Sequence, residues 1–227
     1  MTASRTPPER RQPVLPTAAM LAQAWGYLGT LFRAMLARRR PVMLRTTAEL
    51  AAFIATRSAF VAQITLYGYL RTRAGTRYTT LFENDDFVLS MNLAKWRIYL
   101  ACLSDLTVHA AARITAGGPD APAPATLARR CMALALEDAA SQGLDSELRR
   151  PAMEDFERRL AETDWQTAGE SEAAFTRSPQ ALLDWSPIAP ELKEYDAGIV
   201  INSMRFKWQE VRRQLDGALR RSAFSGD

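Results

Sequence analysis

The sequence predicts an all-α protein: a bundle of about six helices with an N-terminal amphipathic helix as an appendage. Apolar residues recur at spacings of three and four over several long stretches, which is the period of one face of a helix. No segment has the sustained alternation of apolar and polar residues that a half-buried strand requires. The chain has 227 residues, of which 48% are hydrophobic. This is enough for one domain with a sizeable core and an additional arm.

The predicted N-terminal arm, residues 1–45, differs in charge from the rest of the chain. Up to Ala48 the chain contains eight arginines and a single acid, Glu9, a balance of +7, whereas the whole chain carries +4. Residues 1–16 are rich in Pro, Arg and Thr, a composition typical of disorder. Residues 17–39 are predicted to form a helix. Its broad apolar face consists of Met20, Leu21, Trp25, Leu28, Leu31, Phe32 and Met35.

This amphipathic helix has several interpretations. Over residues 17–32 a helix spans about 24 Å, less than the hydrocarbon core of about 30 Å, so a single membrane span is not favoured. The helix can instead lie in a membrane surface, dock on its own bundle or bind a partner protein. The residues predicted to contact a membrane or a partner are Trp25, Leu28, Phe32, Arg38, Arg39 and Arg40.

The start of the chain does not have the pattern of a secretory signal peptide. Pro13 and Pro16 interrupt the apolar stretch, and Arg33 follows with no small-residue cleavage pattern before it. An arginine-rich, acid-poor leader also suits an organelle transit peptide, which stays an alternative.

The predicted helical domain, residues 46–222, begins with a capping-box pattern, Thr46 followed by Glu49. The first helix is expected to run to about Gly75. A polar connector leads to a second long helix over residues 87–115. Because this segment is apolar on nearly all sides, we expect it to be central and buried.

Residues 117–125, rich in Gly, Pro and Ala, form the clearest linker in the chain. The sequence leaves open whether this linker divides the domain or lies within one bundle. Pro151 is interpreted as a first-turn residue of its helix. Further helices are predicted at residues 126–142, 151–165, 179–185 and 190–222. The last has the clearest apolar stripe: Ile201, Met204, Trp208, Val211, Leu215 and Leu219.

Composition and motifs argue against several classes of enzyme. His109 is the one histidine, and no Glu-x-x-His pattern of a di-iron bundle is present. Neither a nucleophile-elbow motif nor a phosphate-binding glycine loop occurs. The acids around Asn84 are interpreted as helix N-terminal residues, so we predict neither a metal nor a cofactor. Two cysteines, Cys102 and Cys131, imply no disulfide framework and favour the cytoplasm.

One polar group of residues is a candidate catalytic site. Ser104, Asp105 and His109 lie close together in the sequence, and Asp105 is one helical turn from His109, within reach of its imidazole. The interpretation we favour is a satisfied polar pair on a buried helix. A hydrolase would need a nucleophile brought from elsewhere to reach His109.

Arg57 interrupts the apolar stripe of the first helix and is expected to need a partner. If the first two long helices form an antiparallel hairpin, a register that places Arg57 opposite Asp105 also places Tyr67 beside Lys95. We therefore predict an Arg57–Asp105 ion pair, with His109 beside it. These three residues either specify the register or line a ligand-binding pocket.

The last helix carries arginines that resemble a phosphate-contacting edge. Asp216 lies among them, which favours a solvated face over a nucleic-acid-binding one. These arginines are Arg205, Arg212, Arg213 and Arg220.

These observations predict a non-catalytic peripheral adaptor, assembly factor or chaperone. Its basic N-terminal helix would tether it to a partner protein or to the anionic inner face of a membrane, and it would work in the cytoplasm. The alternative is a small, esterase-like hydrolase or a binder of an apolar ligand that uses the cluster of Arg57, Asp105 and His109.

Overall fold

The computed structural model describes residues 43–115, 123–170, 172–221 and 224, and this part of the chain forms seven helices and no strands. The all-α prediction is therefore confirmed. The predicted amphipathic helix over residues 17–39 lies outside the described residues. The helices are α1 (Thr47–Ala74), α2 (Asp85–Thr115), α3 (Pro124–Ser141), α4 (Ser146–Glu162), α5 (Trp165–Ala168), α6 (Arg177–Trp185) and α7 (Pro190–Arg221).

Helix α1 begins with the predicted capping box. The hydroxyl of Thr46 accepts a hydrogen bond from the backbone N–H of Glu49 at 3.2 Å, and the Glu49 carboxylate accepts one from the backbone N–H of Thr46 at 3.3 Å. The helix ends at Gly75, whose φ of 55° is costly for any residue with a Cβ. Two short 3₁₀ turns, Gly75–Arg77 and Thr80–Glu83, then reverse the chain into α2.

Helix α2 occupies the centre of the domain, as its apolar composition predicted. From Ile98 to Ala112 nearly every residue is buried. It packs against α1, α3 and α6, and α5 lies on its last turns. Over this buried stretch the polar side chains lie in a dry environment, so each one needs a partner within the protein.

Helices on both sides of residues 117–125 share one hydrophobic core. Helix α3 packs on α1 and α2, and α4 packs on α3. Helix α7 closes the bundle against α1 and α6. Its buried stripe agrees with the predicted one except at its ends, where Ile201 and Leu219 are half-buried; the members with no more than 5% exposure are Val200, Met204, Trp208, Val211, Leu215 and Ala218.

One predicted boundary is wrong. Helix α4 starts at Ser146, not at Pro151, which lies inside the helix. The start is set by Asp145, whose carboxylate accepts a hydrogen bond from the backbone N–H of Glu147 at 2.9 Å. Pro151 lacks the N–H that would bond to the Glu147 carbonyl. Since Glu147 is exposed, water is available to that carbonyl and the proline is tolerated.

Within the described residues, one segment is long and apolar enough to span a membrane by these two criteria alone, Thr47–Arg77. Of its most apolar window, 67% is buried inside the protein. The core helix of a bundle is buried to the same extent and is equally long and apolar, so the segment is weak evidence for a membrane span.

Candidate functional site

A buried ion pair joins the centre of α2 to α4. A nitrogen of the Arg159 guanidinium, Nη1, donates to Oδ1 of Asp105 at 2.7 Å and to Oγ of Ser104 at 2.8 Å. The other terminal nitrogen, Nη2, donates to the backbone carbonyl of Ala174 at 2.5 Å. Asp105 is completely buried and Arg159 is 7% exposed. The pair therefore lies in the interior with most of its hydrogen-bonding capacity used.

The same carboxylate caps helix α6. Oδ2 of Asp105 accepts the backbone N–H of Ser178 at 2.8 Å, and Oδ1 accepts that of Arg177 at 3.4 Å. These N–H groups open α6, where the preceding residue, Thr176, provides no side-chain cap. A helix start needs acceptors for its first N–H groups and favours a negative charge. Asp105 supplies both from a different helix.

Burial and charge act in opposite directions on this pair. Burial raises the pKa of Asp105, while the Arg159 cation and the hydrogen bonds from Ser178 lower it in part. Burial likewise lowers the pKa of Arg159, and Asp105 opposes that change. Each charge is thus stabilised in the interior mainly by the other, so removing one partner leaves the second uncompensated.

His109 lies one turn further along α2 in a second polar contact. Its Nδ1 is 3.2 Å from the backbone carbonyl oxygen of Ala168 at the end of α5, and the residue is 3% exposed. Burial lowers the pKa of His109 to about 4, with Arg212 and Arg113 adding to the effect. The imidazole is therefore neutral at pH 7, and Nδ1 carries the proton that bonds to Ala168.

Aromatic rings connect the two polar contacts. The ring of Phe175 lies 5.0 Å from His109 and 4.7 Å from Trp208, centre to centre. The indole N–H of the fully buried Trp208 donates to Oγ of Ser178 at 2.9 Å. Helix α7 is thereby tied to the residue whose backbone is capped by Asp105.

Close backbone approach holds α5 against α2. A Cβ added at Gly169 would lie 3.2 Å from the backbone carbon of Ala112 and 3.3 Å from the backbone nitrogen of Arg113. Because those atoms belong to the main chain of a buried helix, they cannot move aside cheaply. Gly169 thus allows the approach that places the Ala168 carbonyl next to His109.

The structure brings together part of the predicted cluster and separates the rest. Ser104 and Asp105 both bind Arg159, so the predicted Arg57–Asp105 ion pair is wrong in its basic partner. Arg57 is buried on α1 with its guanidinium 5.5 Å from the centre of the Phe53 ring. The predicted bond from Asp105 to His109 is replaced by the bond between His109 and the Ala168 carbonyl.

The polar contacts made by three residues, Arg159, Ser178 and Trp208, were not predicted from the sequence. A signal for Arg159 was present, since it follows Phe156 at a spacing of three and precedes Leu160, and both of these are core residues. An arginine on the apolar face of a helix indicates a buried partner. No local pattern identifies Ser178, because its role depends on where α6 begins.

The other predicted groups lie at the surface or outside the described chain. Among the described residues, no group of three or more His, Cys, Asp or Glu side chains is arranged to hold a metal ion. Of the acids near Asn84, Asp85 and Asp86 lie in the first turn of α2, and Glu83 ends the preceding 3₁₀ turn. Oδ1 of Asn84 accepts the N–H of Phe87 at 3.0 Å. The predicted membrane or partner contacts, Trp25, Leu28, Phe32, Arg38, Arg39 and Arg40, fall outside the part that the structure describes.

The arginines of α7 have acidic neighbours. Arg205 and Arg212 both approach Glu172, at 3.5 and 3.7 Å. Arg213 lies 2.8 Å from Glu210. Asp216 pairs with Arg113 of α2 at 2.8 Å. Much of the positive charge on this helix is therefore balanced within the domain.

No protein-family model matches this chain, no curated protein is significantly similar to it in sequence, and no solved structure is significantly similar to it.

Proposed function

We propose that this chain is a non-catalytic adaptor or assembly factor, attached through its basic N-terminal segment to an anionic membrane surface or to a partner protein. The observation that carries the proposal is that the candidate catalytic side chains, Ser104, Asp105 and His109, all make structural contacts. Each of them is engaged in a contact that holds two elements of the bundle together. Function is then assigned to the surface and to the N-terminal segment.

The polar contacts in the interior support a structural role for Ser104 and Asp105. The carboxylate of Asp105 accepts from Arg159 on α4 and from the start of α6. The hydroxyl of Ser104 accepts from the same guanidinium. A serine nucleophile needs instead a base within hydrogen-bonding reach of its proton. The geometry therefore does not favour the hydrolase alternative.

The charge pattern supports attachment at an anionic surface. Up to Ala48 the chain carries +7, so the remainder must carry −3 to reach the total of +4. A basic segment with an apolar helical face is attracted to anionic lipid both electrostatically and by burial of apolar side chains. The free, buried thiols of Cys102 and Cys131 support a reducing, cytoplasmic location.

Vesicle flotation tests the proposal on the full chain. We expect binding to vesicles that contain anionic lipid, weaker binding to neutral vesicles, and loss of binding in a variant with Arg38, Arg39 and Arg40 changed to Glu. The matched control changes three exposed arginines of the helical domain, Arg149, Arg150 and Arg213, to Glu, which alters the net charge equally.

The two variants distinguish specific attachment from a general charge effect. If both lose binding equally, only net charge matters and the N-terminal segment is not an anchor. If the unaltered chain binds no vesicles, a cross-linking search for a protein partner should depend on the same three arginines. Hydrolysis of ester substrates that is abolished in His109→Ala, with its fold retained, would instead establish the enzymatic alternative.

A further inference from the structure

Helix α5 is a single turn that lies against a buried histidine. Of its four residues, Gln166 and Thr167 are exposed, Trp165 is half-buried and Ala168 is buried. Among the described helices, α2 is its main contact. An element with so few buried apolar contacts can open locally at a much lower free energy than the whole domain needs to unfold.

Two contacts hold α5 on α2, and both lie at the C-terminal end of α5. The carbonyl oxygen of Ala168 is 3.2 Å from Nδ1 of His109. Next to it, Gly169 allows the backbone of this segment to approach the backbone of α2 closely. When α5 moves away from α2, the imidazole of His109 loses its cover on that side and can be hydrated.

The acids that α2 and α7 bring near His109 are already paired with arginines. One turn before His109 on α2, the carboxylate of Asp105 accepts a hydrogen bond from Arg159 of α4. One turn after it, Arg113 adds a positive charge, and its partner at 2.8 Å is Asp216 of α7. Neither carboxylate is therefore available as the sole partner of a protonated imidazole.

The opposite side of the imidazole has the same balance of charge. The guanidinium of Arg212 on α7 lies 5.9 Å from the centre of the Phe175 ring, and that ring contacts His109. Glu172, in the segment between α5 and α6, approaches Arg212 at 3.7 Å and Arg205 at 3.5 Å. A protonated His109 would thus be an additional buried cation beside arginines, which is costly without a partner of its own.

We infer that the contact between α5 and α2 is a pH switch: in acid, protonation of His109 releases α5 from α2 while the other helices stay folded. The proton favours the open state because only there can water solvate the charged imidazole. In the closed state burial lowers the pKa of His109 to about 4, and Arg212 and Arg113 lower it more than Asp216 raises it. The switch does not depend on the attachment proposed for the N-terminal segment.

Amide hydrogen exchange of the full chain, followed by NMR at pH 7 and pH 5, tests the inference. The reporting amide is that of Ala168, which donates to the Asp164 carbonyl at 3.0 Å. With a pKa of about 4 in the closed state and about 6.5 in the open state, the opening constant should rise about twentyfold between pH 7 and pH 5. The rates are compared after correction for the intrinsic pH dependence of exchange.

Two other sets of amides are the controls in the same spectra. The amide of Leu50, bonded to the Thr46 carbonyl at 3.0 Å, exchanges when the first turn of α1 frays. That opening leaves His109 covered, so the protection of Leu50 should be equal at pH 7 and pH 5. The amides at the centre of α2 should stay more protected than that of Ala168 at both pH values, because α2 opens only when the domain unfolds.

Two variants separate the proton from the packing. His109→Gln keeps a polar side chain that does not titrate in this range, and it should remove the pH dependence at Ala168. Gly169→Ala pushes α5 away from the α2 backbone. It should increase exchange at Ala168 at both pH values and keep the twentyfold ratio, since His109 is unchanged. Circular dichroism checks that both variants keep their helical fold.

Four results would overturn the inference. In the unaltered chain, Ala168 would be equally protected at pH 7 and pH 5, or as strongly protected as the centre of α2. The first result would show that no proton is linked to the opening, and the second that α5 leaves only when the whole domain unfolds. A similar increase at Leu50 would show that acid loosens the whole domain, and a twentyfold increase that persists in His109→Gln would show that another group takes up the proton.

Discussion

Removing either partner of the Asp105–Arg159 pair should destabilise the protein strongly. Removing both should lower the free energy of unfolding by far less than the sum of the two single effects. In Asp105→Ala the buried Arg159 keeps its charge, and α6 loses the acceptor for its first N–H groups. The lost contacts are two short charge-assisted hydrogen bonds, from Arg159 and from the backbone of Ser178, at 2.7 and 2.8 Å. At about 2 kcal/mol each, the expected cost is about 4 kcal/mol.

Arg159→Met should cost less, about 3 kcal/mol, because Asp105 keeps its hydrogen bonds to the start of α6 and can take up a proton. Two independent changes would then cost about 7 kcal/mol together. In the double variant neither charge is left unpaired, so we expect about 4 kcal/mol in total. The coupling energy is therefore about 3 kcal/mol.

Urea unfolding followed by circular dichroism gives the free energy of unfolding for each variant. Ser104→Ala is a milder probe of the same site: it removes one hydrogen bond to Arg159 and should cost about 1 kcal/mol. The matched control is a cycle on the exposed pair Arg129–Glu157, whose nitrogen–oxygen distance is the same 2.7 Å. Solvent screens that pair, so its coupling should stay below about 1 kcal/mol.

A coupling at Asp105 and Arg159 below about 0.5 kcal/mol would refute the reasoning, since that is the size expected of independent sites. It would mean that the two charges do not depend on each other for stabilisation. Equal coupling in the buried and exposed pairs would have the same consequence, since burial is the stated cause of the difference.

Three further predictions concern other parts of the bundle. Because the pKa of His109 is lowered to about 4 from 6.5, the unfolded chain binds a proton there at a higher pH than the folded chain does. The free energy of unfolding should therefore fall by up to about 3 kcal/mol as the pH drops from about 6.5 to 4. In His109→Gln, thermal unfolding should lose this part of the pH dependence. An unchanged dependence of the melting temperature on pH in that variant would contradict the role given to His109. Gly169→Ala should lower the free energy of unfolding by about 1–2 kcal/mol, because the added Cβ contacts the α2 backbone. The control Gly68→Ala has open space around the added Cβ and should raise the free energy of unfolding by about 1 kcal/mol, as measured by urea unfolding. The opposite order of stabilities would be inconsistent with close packing at α5. Thr46→Ala should cost about 1 kcal/mol through loss of the capping box and increase amide exchange in the first turn of α1, and unchanged exchange there would show that Thr46 is dispensable.

Prediction from the sequence was accurate where the signal is local. The capping box at Thr46 depends on two residues three positions apart, and the buried stripe of α7 depends on a spacing repeated along one helix. The start of α4 was misplaced because Pro151 resembles a first-turn proline. The residue that caps the helix, Asp145, lies earlier in the chain and is an equally ordinary signal for a helix start.

The candidate site could be predicted only in part. Asp105 was correctly placed on a central, buried helix and paired with an arginine, although the argument started from Arg57, which was expected to need a partner. The choice of cation was wrong because the register argument considered only α1 as the neighbour of α2. Arg159 reaches Asp105 from α4, although it lies 54 residues further along the chain.

Periodicity and capping determine where helices form, since each involves contacts within one or two turns. They therefore gave the fold class and most helix positions before any packing was known. The partner of Asp105, the cap of α6 and the acceptor of His109 depend on which helices meet and at what depth. Burial determines those contacts, because a charge in a dry core needs an oppositely charged or polar partner. The partner is the group that the packing of the helices brings within hydrogen-bonding distance.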